Sequence, residues 1–297
     1  MRPARLIKIW AGQIRAPFLV LSVVLVLVGG AAAFSDGVFD GLRFALALVG
    51  VILAHVAVNM FNELHDHATG IDQHTRRTPF SGGSGTLQRG DLDPRAVLYA
   101  TIGTLAVALV IGIVLTILSG WQLLIFIILG GTATVFYTSH LARWMIGELT
   151  AGICLGTFVV LGTYFCLAET LTAEVVWLSI PPGILTALLL FLNEFPDLEA
   201  DREGGRRHLV IVLGRQRAAV VYTAAMIVMY SILVVGVVAG LFPVPVLMAL
   251  ATVPLALRAS LTALKHHDKF DKMVGALGAN VGAVLGTDLL IAVAYFI

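Results

Sequence analysis

Long apolar runs separated by short polar stretches organise the whole chain. Nine such runs approach the roughly 20 residues that a helix needs to cross a bilayer core. They fall near 17–34, 42–62, 97–118, 121–140, 144–166, 174–195, 216–240, 243–264 and 273–297. None shows the strict alternation of a half-buried strand, and all are longer than strands normally are. Lipid tolerates only helices or closed barrels as spanning elements. The pattern predicts an all-α polytopic membrane protein, with nine transmembrane helices in one bundle forming a single domain over 1–297.

Composition agrees with this reading. Hydrophobic residues make up 59% of the 297, charged residues 12%, and the mean hydropathy is +0.95. A soluble domain carries about 25% charged residues, so most of this chain has no aqueous surface to present. The first apolar run lacks a clean cleavage site and reads as a retained helix, not a signal peptide. Cys154 and Cys166 lie in one predicted helix, where they cannot cross-link it to anything, and read as core residues.

Net charge is +1, and no nucleic-acid partner is expected. The distribution of charge is more informative than its sum. With the N-terminus in the cytoplasm and sides alternating after each helix, all of the 19 Lys and Arg except Arg43 fall on the cytoplasmic side. That satisfies the positive-inside rule and predicts N-terminus in, C-terminus out.

Acidic residues are equally uneven. "NELHDHATGID" (62–72) follows the second run and "NEFPDLEAD" (193–201) ends the sixth. Aligning Asn62 with Asn193 superposes Glu63 on Glu194 and Asp66 on Asp197, with arginine pairs downstream of both. The clusters are four helices apart and so emerge on one side, like a weak parallel repeat. Positions four apart share a helix face, which groups Asn62 with Asp66, and Asn193 with Asp197 and Asp201. Gly70 is positioned to end the first helix and return Asp72 on a loop, whereas Pro196 could kink or break the second.

Both clusters sit at C-terminal helix ends, where the dipole disfavours each acid by about 0.3–1 kcal/mol. A bound cation removes that penalty and the mutual repulsion. Asp and Asn oxygens suit Mg²⁺ or Mn²⁺, and Mg²⁺ commonly bridges carboxylates and substrate phosphates. No His or Cys spacing resembles a zinc site. Arg76, Arg77, Arg143, Arg206 and Arg207 offer guanidinium forks for phosphate oxygens. "TPFSGGSGTLQ" (78–88) could form an anion-binding nest of backbone amides. A single charged cluster beside a helix is ordinarily a solvated end. Two matched clusters on one side instead point to a Mg²⁺-diphosphate site with Asn62, Asp66, Asp72, Asn193, Asp197 and Asp201 as metal ligands.

These motifs, with "GGRRHLVIVLG" (204–214) and "FYTSHLARWMIGEL" (136–149), resemble the UbiA superfamily of intramembrane prenyltransferases. Within it they are most similar to the branch that prenylates 1,4-dihydroxy-2-naphthoate in menaquinone biosynthesis. His208 stands where that family usually has threonine, and Glu63 where an aspartate is frequent. The resemblance implies a nine-helix bundle around a lipid-facing central cavity, in a prokaryotic inner membrane with the active site facing the cytoplasm. It implies that Asp66, Asp72, Asp197 and Asp201 are catalytic through Mg²⁺, which holds the diphosphate of a polyprenyl donor. An aromatic acceptor then attacks the allylic carbon. Tyr137, Tyr164 and Phe195 are candidates for stabilising the allyl cation, although packing is their commoner role. Glu148 or His140 could deprotonate or place the acceptor. His55 and Asn59 could extend the polar face into the cavity, and Asp288 within the last run is an intramembrane acid to be explained.

Two other classes fit less well. Alcohol phosphatidyltransferases use a metal but carry an Asp-Gly-x-x-Ala-Arg signature absent here. A secondary transporter would place its ion site near the bilayer midplane, whereas these acids gather at one surface.

Overall fold

The structure is a computed structural model that describes residues 3–71, 76–137 and 144–297. Among the described residues, regular structure is helical throughout. An amphipathic helix α1 (Pro3–Gln13) precedes the first apolar segment. Among the described residues, eight helices are long and apolar enough to cross a membrane: α2 (Ala16–Ser35), α3 (Gly41–Thr69), α4 (Pro94–Ser119), α6 (Gly147–Ala168), α7 (Ala173–Glu203), α8 (Arg215–Val238), α9 (Val244–His266) and α10 (Phe270–Ala294). Between α4 and α6 lies α5 (Leu123–Phe136), apolar but only 14 residues long. At 1.5 Å per residue it covers about 21 Å. Each of the nine predicted apolar segments is thus helical over most of its described length, and residues 138–140 of the fourth lie outside the described residues.

Helix starts follow local chemistry. The Asp40 side chain accepts from the amides of Leu42 and Arg43, both at 2.9 Å, and caps α3. Asp93 caps α4 in the same way, with Pro94 in the first turn, where no amide is needed. Two helix ends extend well past the hydropathic boundary. α3 continues to Thr69 and stops at Gly70, whose φ of 76° suits glycine. α7 continues to Glu203 with Pro196 inside it, so this proline does not break the helix.

The core runs along α7, where Leu185, Leu188, Leu192 and Phe195 meet Tyr222 and Met226 of α8 and Leu277 and Val284 of α10. α3 packs along α4, α2 along α6, and α9 along α10. α4 and α5 present Ile102, Val110, Ile117 and Ile128 outward, as lipid-facing helices do. Cys154 and Cys166 are free thiols, Cys166 in the core.

A close helix contact joins α6 and α7. The first half of α6 is π-helical over Ala151–Thr157, and it lies directly on the start of α7. A Cβ on Gly152 would sit 2.7 Å from the Gly183 carbonyl oxygen, and one on Gly156 would sit 2.6 Å from the Gly183 Cα. Small residues let helix backbones approach where lipid supplies no hydrophobic drive. This contact brings Glu148, one turn before Gly152, toward the acidic end of α7.

Candidate active site

Two connected spaces lie between the helices. An apolar cavity of about 370 Å³ runs between α3, α4, α5, α6 and α7, lined by residues such as Val51, Leu105, Ile127, Leu155 and Leu189. A smaller polar pocket of about 100 Å³ is lined by Asp66, Asp197, Asp201, Arg206, His208 and Glu194. Arg15, Asn62, Tyr137, Leu190 and Asn193 line both, so the polar pocket and the apolar cavity meet at these side chains.

The helical extensions make this arrangement possible. Because α3 and α7 stay helical through their motifs, Asn62 and Asp66 share one face, and Asn193, Asp197 and Asp201 share another. Both faces line the polar pocket. The expected glycine-rich loop closes it, with Ser81, Gly82 and Gly83 in its wall. Gly82, Gly83 and Gly85 have φ of 84°, 68° and 71°, a conformation that favours glycine. Glu63 holds this loop down: its Oε1 accepts from the Ser84 amide at 2.8 Å and its Oε2 from the Ser84 hydroxyl at 2.6 Å.

Arg206 joins the two motifs. Its Nη1 donates to Asp201 Oδ1 at 2.8 Å and its Nη2 donates to Asp66 Oδ1. Burial alone would pull this guanidinium down in pKa, but the Asp66 and Asp201 carboxylates more than offset it and hold it above its ordinary value. Asp201 turns its other oxygen to His208, with Nε2 at 3.1 Å from Oδ2. Glu148 Oε1 accepts from the Leu209 amide at 2.7 Å, anchoring the segment that carries His208.

The donor set fits a hard divalent cation. Asn193 Oδ1 and Asp197 Oδ1 are buried and have no hydrogen-bond partner among the described residues. Orphaned oxygens of this kind are costly unless a hydrogen-bond donor or a cation binds them. Asn62, Asp66, Asn193, Asp197 and Asp201 surround one small space that would hold an ion with oxygen ligands.

The other expected residues divide. Tyr137 lies at the junction of the two spaces. Arg76 is drawn to α10 instead, with Nη2 3.1 Å from Asp271 Oδ1 and its guanidinium over the Phe270 ring at 4.0 Å. The Arg77 guanidinium lies against Gly85 on the loop, and Arg207 is exposed. Tyr164 is spent on Asp36 at the far end of α2, donating to Oδ2 at 2.5 Å. Phe195 is packed in the core. Asp72, His140 and Arg143 lie outside the described residues. His55 and Asn59 do line the apolar cavity, though each is engaged, His55 with the Ser22 hydroxyl and Asn59 with the Ile14 carbonyl. Asp288 is fully buried in α10, away from both spaces.

Sequence reasoning missed Arg15, Glu63 as loop anchor, and His208 as a partner of Asp201. Arg15 adopts φ 51°, donates to the Phe80 carbonyl at 3.3 Å and faces both spaces. In the sequence it reads as one more basic residue before the first helix.

Comparison with known proteins places this geometry. The chain is 30% identical over 223 residues to the 1,4-dihydroxy-2-naphthoate octaprenyltransferase of Bacillus subtilis, covering 74% of this chain and 70% of that protein. Its fold is similar to the apo structure of a UbiA homolog from Aeropyrum pernix K1, with TM-score 0.68 and 19% identity over 90% of this chain and 97% of the other. It is also similar to a UbiA homolog from Archaeoglobus fulgidus bound to GPP and Mg²⁺, with TM-score 0.62 and 12% identity over 96% of this chain and 99% of the other. The profile of the UbiA prenyltransferase family matches residues 22–276, and the chain belongs to that family of prenyl-transferring enzymes.

Proposed function

We propose that this enzyme transfers a polyprenyl group from an allylic diphosphate to 1,4-dihydroxy-2-naphthoate, in menaquinone biosynthesis. The observation that carries the reading is the junction of an acid-lined polar pocket with an apolar cavity at Asn62, Asn193 and Tyr137. A molecule with an anionic head and a greasy tail matches both compartments at once. The naphthoate acceptor rests on the similarity to the Bacillus subtilis enzyme.

In this reading Asn62, Asp66, Asp72, Asn193, Asp197 and Asp201 hold Mg²⁺, and the Archaeoglobus fulgidus homolog bound to GPP and Mg²⁺ supports that assignment. Bound there, Mg²⁺ neutralises charge that builds on the departing diphosphate. Arg15 and Arg206 supply further positive charge at the pocket, and Arg143 is retained as a diphosphate-binding candidate. The apolar walls exclude water from the allyl cation left when the C–O bond ionises. Tyr137, where the two spaces meet, offers its ring to the cation. The carboxylate-bearing ring carbon of the acceptor attacks and a C–C bond forms; the carboxylate leaves as carbon dioxide, its C–C electron pair restoring the aromatic ring, while the donor's C–O pair departs with the diphosphate.

The chain is read as one domain of nine spans around a central cavity, with α5 as the short fourth span. The N-terminus lies in the cytoplasm, the membrane is a prokaryotic inner membrane, and the acidic pocket faces the cytoplasm. Arg43 supports this sidedness. It is the lone basic residue on the opposite side and is paired there with Glu169 at 2.6 Å.

Membranes carrying the enzyme should join a polyprenyl diphosphate to dihydroxynaphthoate only with Mg²⁺ present, and EDTA should stop the reaction. Product formation that survives EDTA would refute the mechanism. Turnover of hydroxybenzoate or homogentisate in place of the naphthoate would refute the acceptor.

A further inference from the structure

In the wall of the polar pocket, at its α6 side, stands a second group of side chains that the prenyl-transfer scheme does not use. Glu148 from the start of α6, Glu194 from α7 and His208 from the following segment each point a ligand atom at the others, all within 4.8 Å. All three residues are more than nine-tenths buried. Glu148 Oε2, Glu194 Oε2 and His208 Nδ1 have no hydrogen-bond partner among the described residues.

The imidazole's orientation fixes the problem. His208 Nε2 lies 3.1 Å from Asp201 Oδ2. A carboxylate only accepts, so Nε2 carries the hydrogen and a neutral His208 presents its Nδ1 lone pair. That lone pair faces Glu194 Oε2 at 3.3 Å, close enough for an ion pair but off hydrogen-bond geometry. One proton could reconcile two of these three acceptors. A metal ion reconciles all three.

The one separation that the ligand geometry fixes closely, His208 Nδ1 to Glu194 Oε2 at 3.3 Å, is that of two ligands of one ion. Ligands about 2.1 Å from a tetrahedral centre lie about 3.4 Å from one another. A metal-bound histidine almost always donates its other ring N–H to a carboxylate, which fixes the tautomer, and the His208–Asp201 contact has that form. Charge points the same way. Asp66, Asp197, Asp201, Glu148 and Glu194 gather around Arg206 and Arg15, leaving more acid than one magnesium ion balances.

We propose that Glu148, Glu194 and His208 form a second cation site, beside the aspartates and sharing the wall of their pocket through Glu194 and His208, for a first-row divalent transition ion. The mixed imidazole and carboxylate set favours Zn²⁺, Fe²⁺ or Mn²⁺ over Mg²⁺, which prefers oxygen alone. The site ties α6, α7 and the His208 segment together and orients Asp201 through the imidazole.

Co²⁺ serves as the probe. The full chain in detergent, stripped with chelator and held in excess Mg²⁺ to fill the aspartate pocket, is titrated with Co²⁺ and followed by visible d–d absorption. One Co²⁺ per chain is expected. Glu148→Gln keeps an oxygen for the Leu209 amide but removes a charged ligand, and it should weaken Co²⁺ at least tenfold. Asp197→Asn, outside the three ligands, should bind Co²⁺ as wild type does while losing prenyl transfer. That variant separates failure of this site from failure of the donor-site reading. Pulsed EPR of the wild type loaded with Mn²⁺ should show nitrogen coupling from one imidazole. No Co²⁺ uptake by the wild type, unchanged uptake in Glu148→Gln, or a spectrum without nitrogen coupling would each overturn the proposal, leaving a shared proton as what joins these groups.

Discussion

The ends of α3 and α7 carry the same letters in the same register, Asn-Glu-x-x-Asp, and yet differ in how their charges are held. On α3, Glu63 is satisfied twice by Ser84 and serves as a clamp for the glycine loop. On α7 the corresponding Glu194 leaves Oε2 without a hydrogen-bond partner among the described residues and turns it toward His208. Asp66 has a guanidinium partner, whereas Asp197 Oδ1 has none among the described residues. The α3 end is electrostatically closed and the α7 end is open. A repeated motif therefore fixes where oxygen atoms stand, while its surroundings decide which of them remain available to a ligand.

The largest test of this asymmetry removes an open oxygen. Asp197→Ala should reduce prenyl transfer to the level of membranes without enzyme, measured with radiolabelled polyprenyl diphosphate, while the protein still extracts as a folded species. Next comes the joint between the halves. Arg206→Ala leaves Asp66 and Asp201 facing each other, and losing one partner of a buried pair costs about 3–5 kcal/mol. Thermal unfolding in detergent should drop accordingly, with Arg206→Lys recovering part of the loss. Gly156→Val attacks the α7 side alone, because its side chain meets the Gly183 backbone. Overpacking of this kind costs about 1–3 kcal/mol, and it should lower activity by displacing Glu194 and Asp197 while leaving the loop at Ser84 protected from proteolysis. The smallest effect belongs to the closed end. Ser84→Ala removes one of two bonds to Glu63, costs about 1 kcal/mol, and should show as faster proteolysis of the loop with near-normal Mg²⁺ dependence. A Ser84→Ala loss equal to that of Asp197→Ala would break the distinction between the two ends.

Much of the architecture was legible in the sequence because apolar length is a direct readout of what lipid demands. The spans along α2, α4, α8 and α9 needed nothing else. Helix ends were less visible. Hydropathy stops at Asn62 and Phe195, but the backbone continues to Thr69 and Glu203, since Glu, Asp and His are acceptable in a helix whose flank is buried by neighbours. The Asn and Asp positions at the pocket were legible for the same reason as the helices, a spacing of four. Their partners were not. Arg15 and Arg76 look alike as basic residues flanking helices, and only tertiary packing sends one to the pocket and the other to Asp271. The roles of His208 and Glu148 depend on meeting Glu194 across three separate segments, a relation no local spacing encodes.

Pro196 has a mechanical consequence. Lacking an amide hydrogen, it leaves the Leu192 carbonyl without the bond that every intact turn supplies, although α7 stays continuous. The proline is the one interruption in the helix's own hydrogen bonding between its packed half and its acidic end. On one side of it are the leucines packed against α8 and α10. On the other are Asp197 and Asp201, the latter tied to the following segment by Arg206 and His208. Under the proposed function a diphosphate head is held at Asp197, one residue past this gap in the helix's own hydrogen bonding, where the backbone resists a small adjustment least.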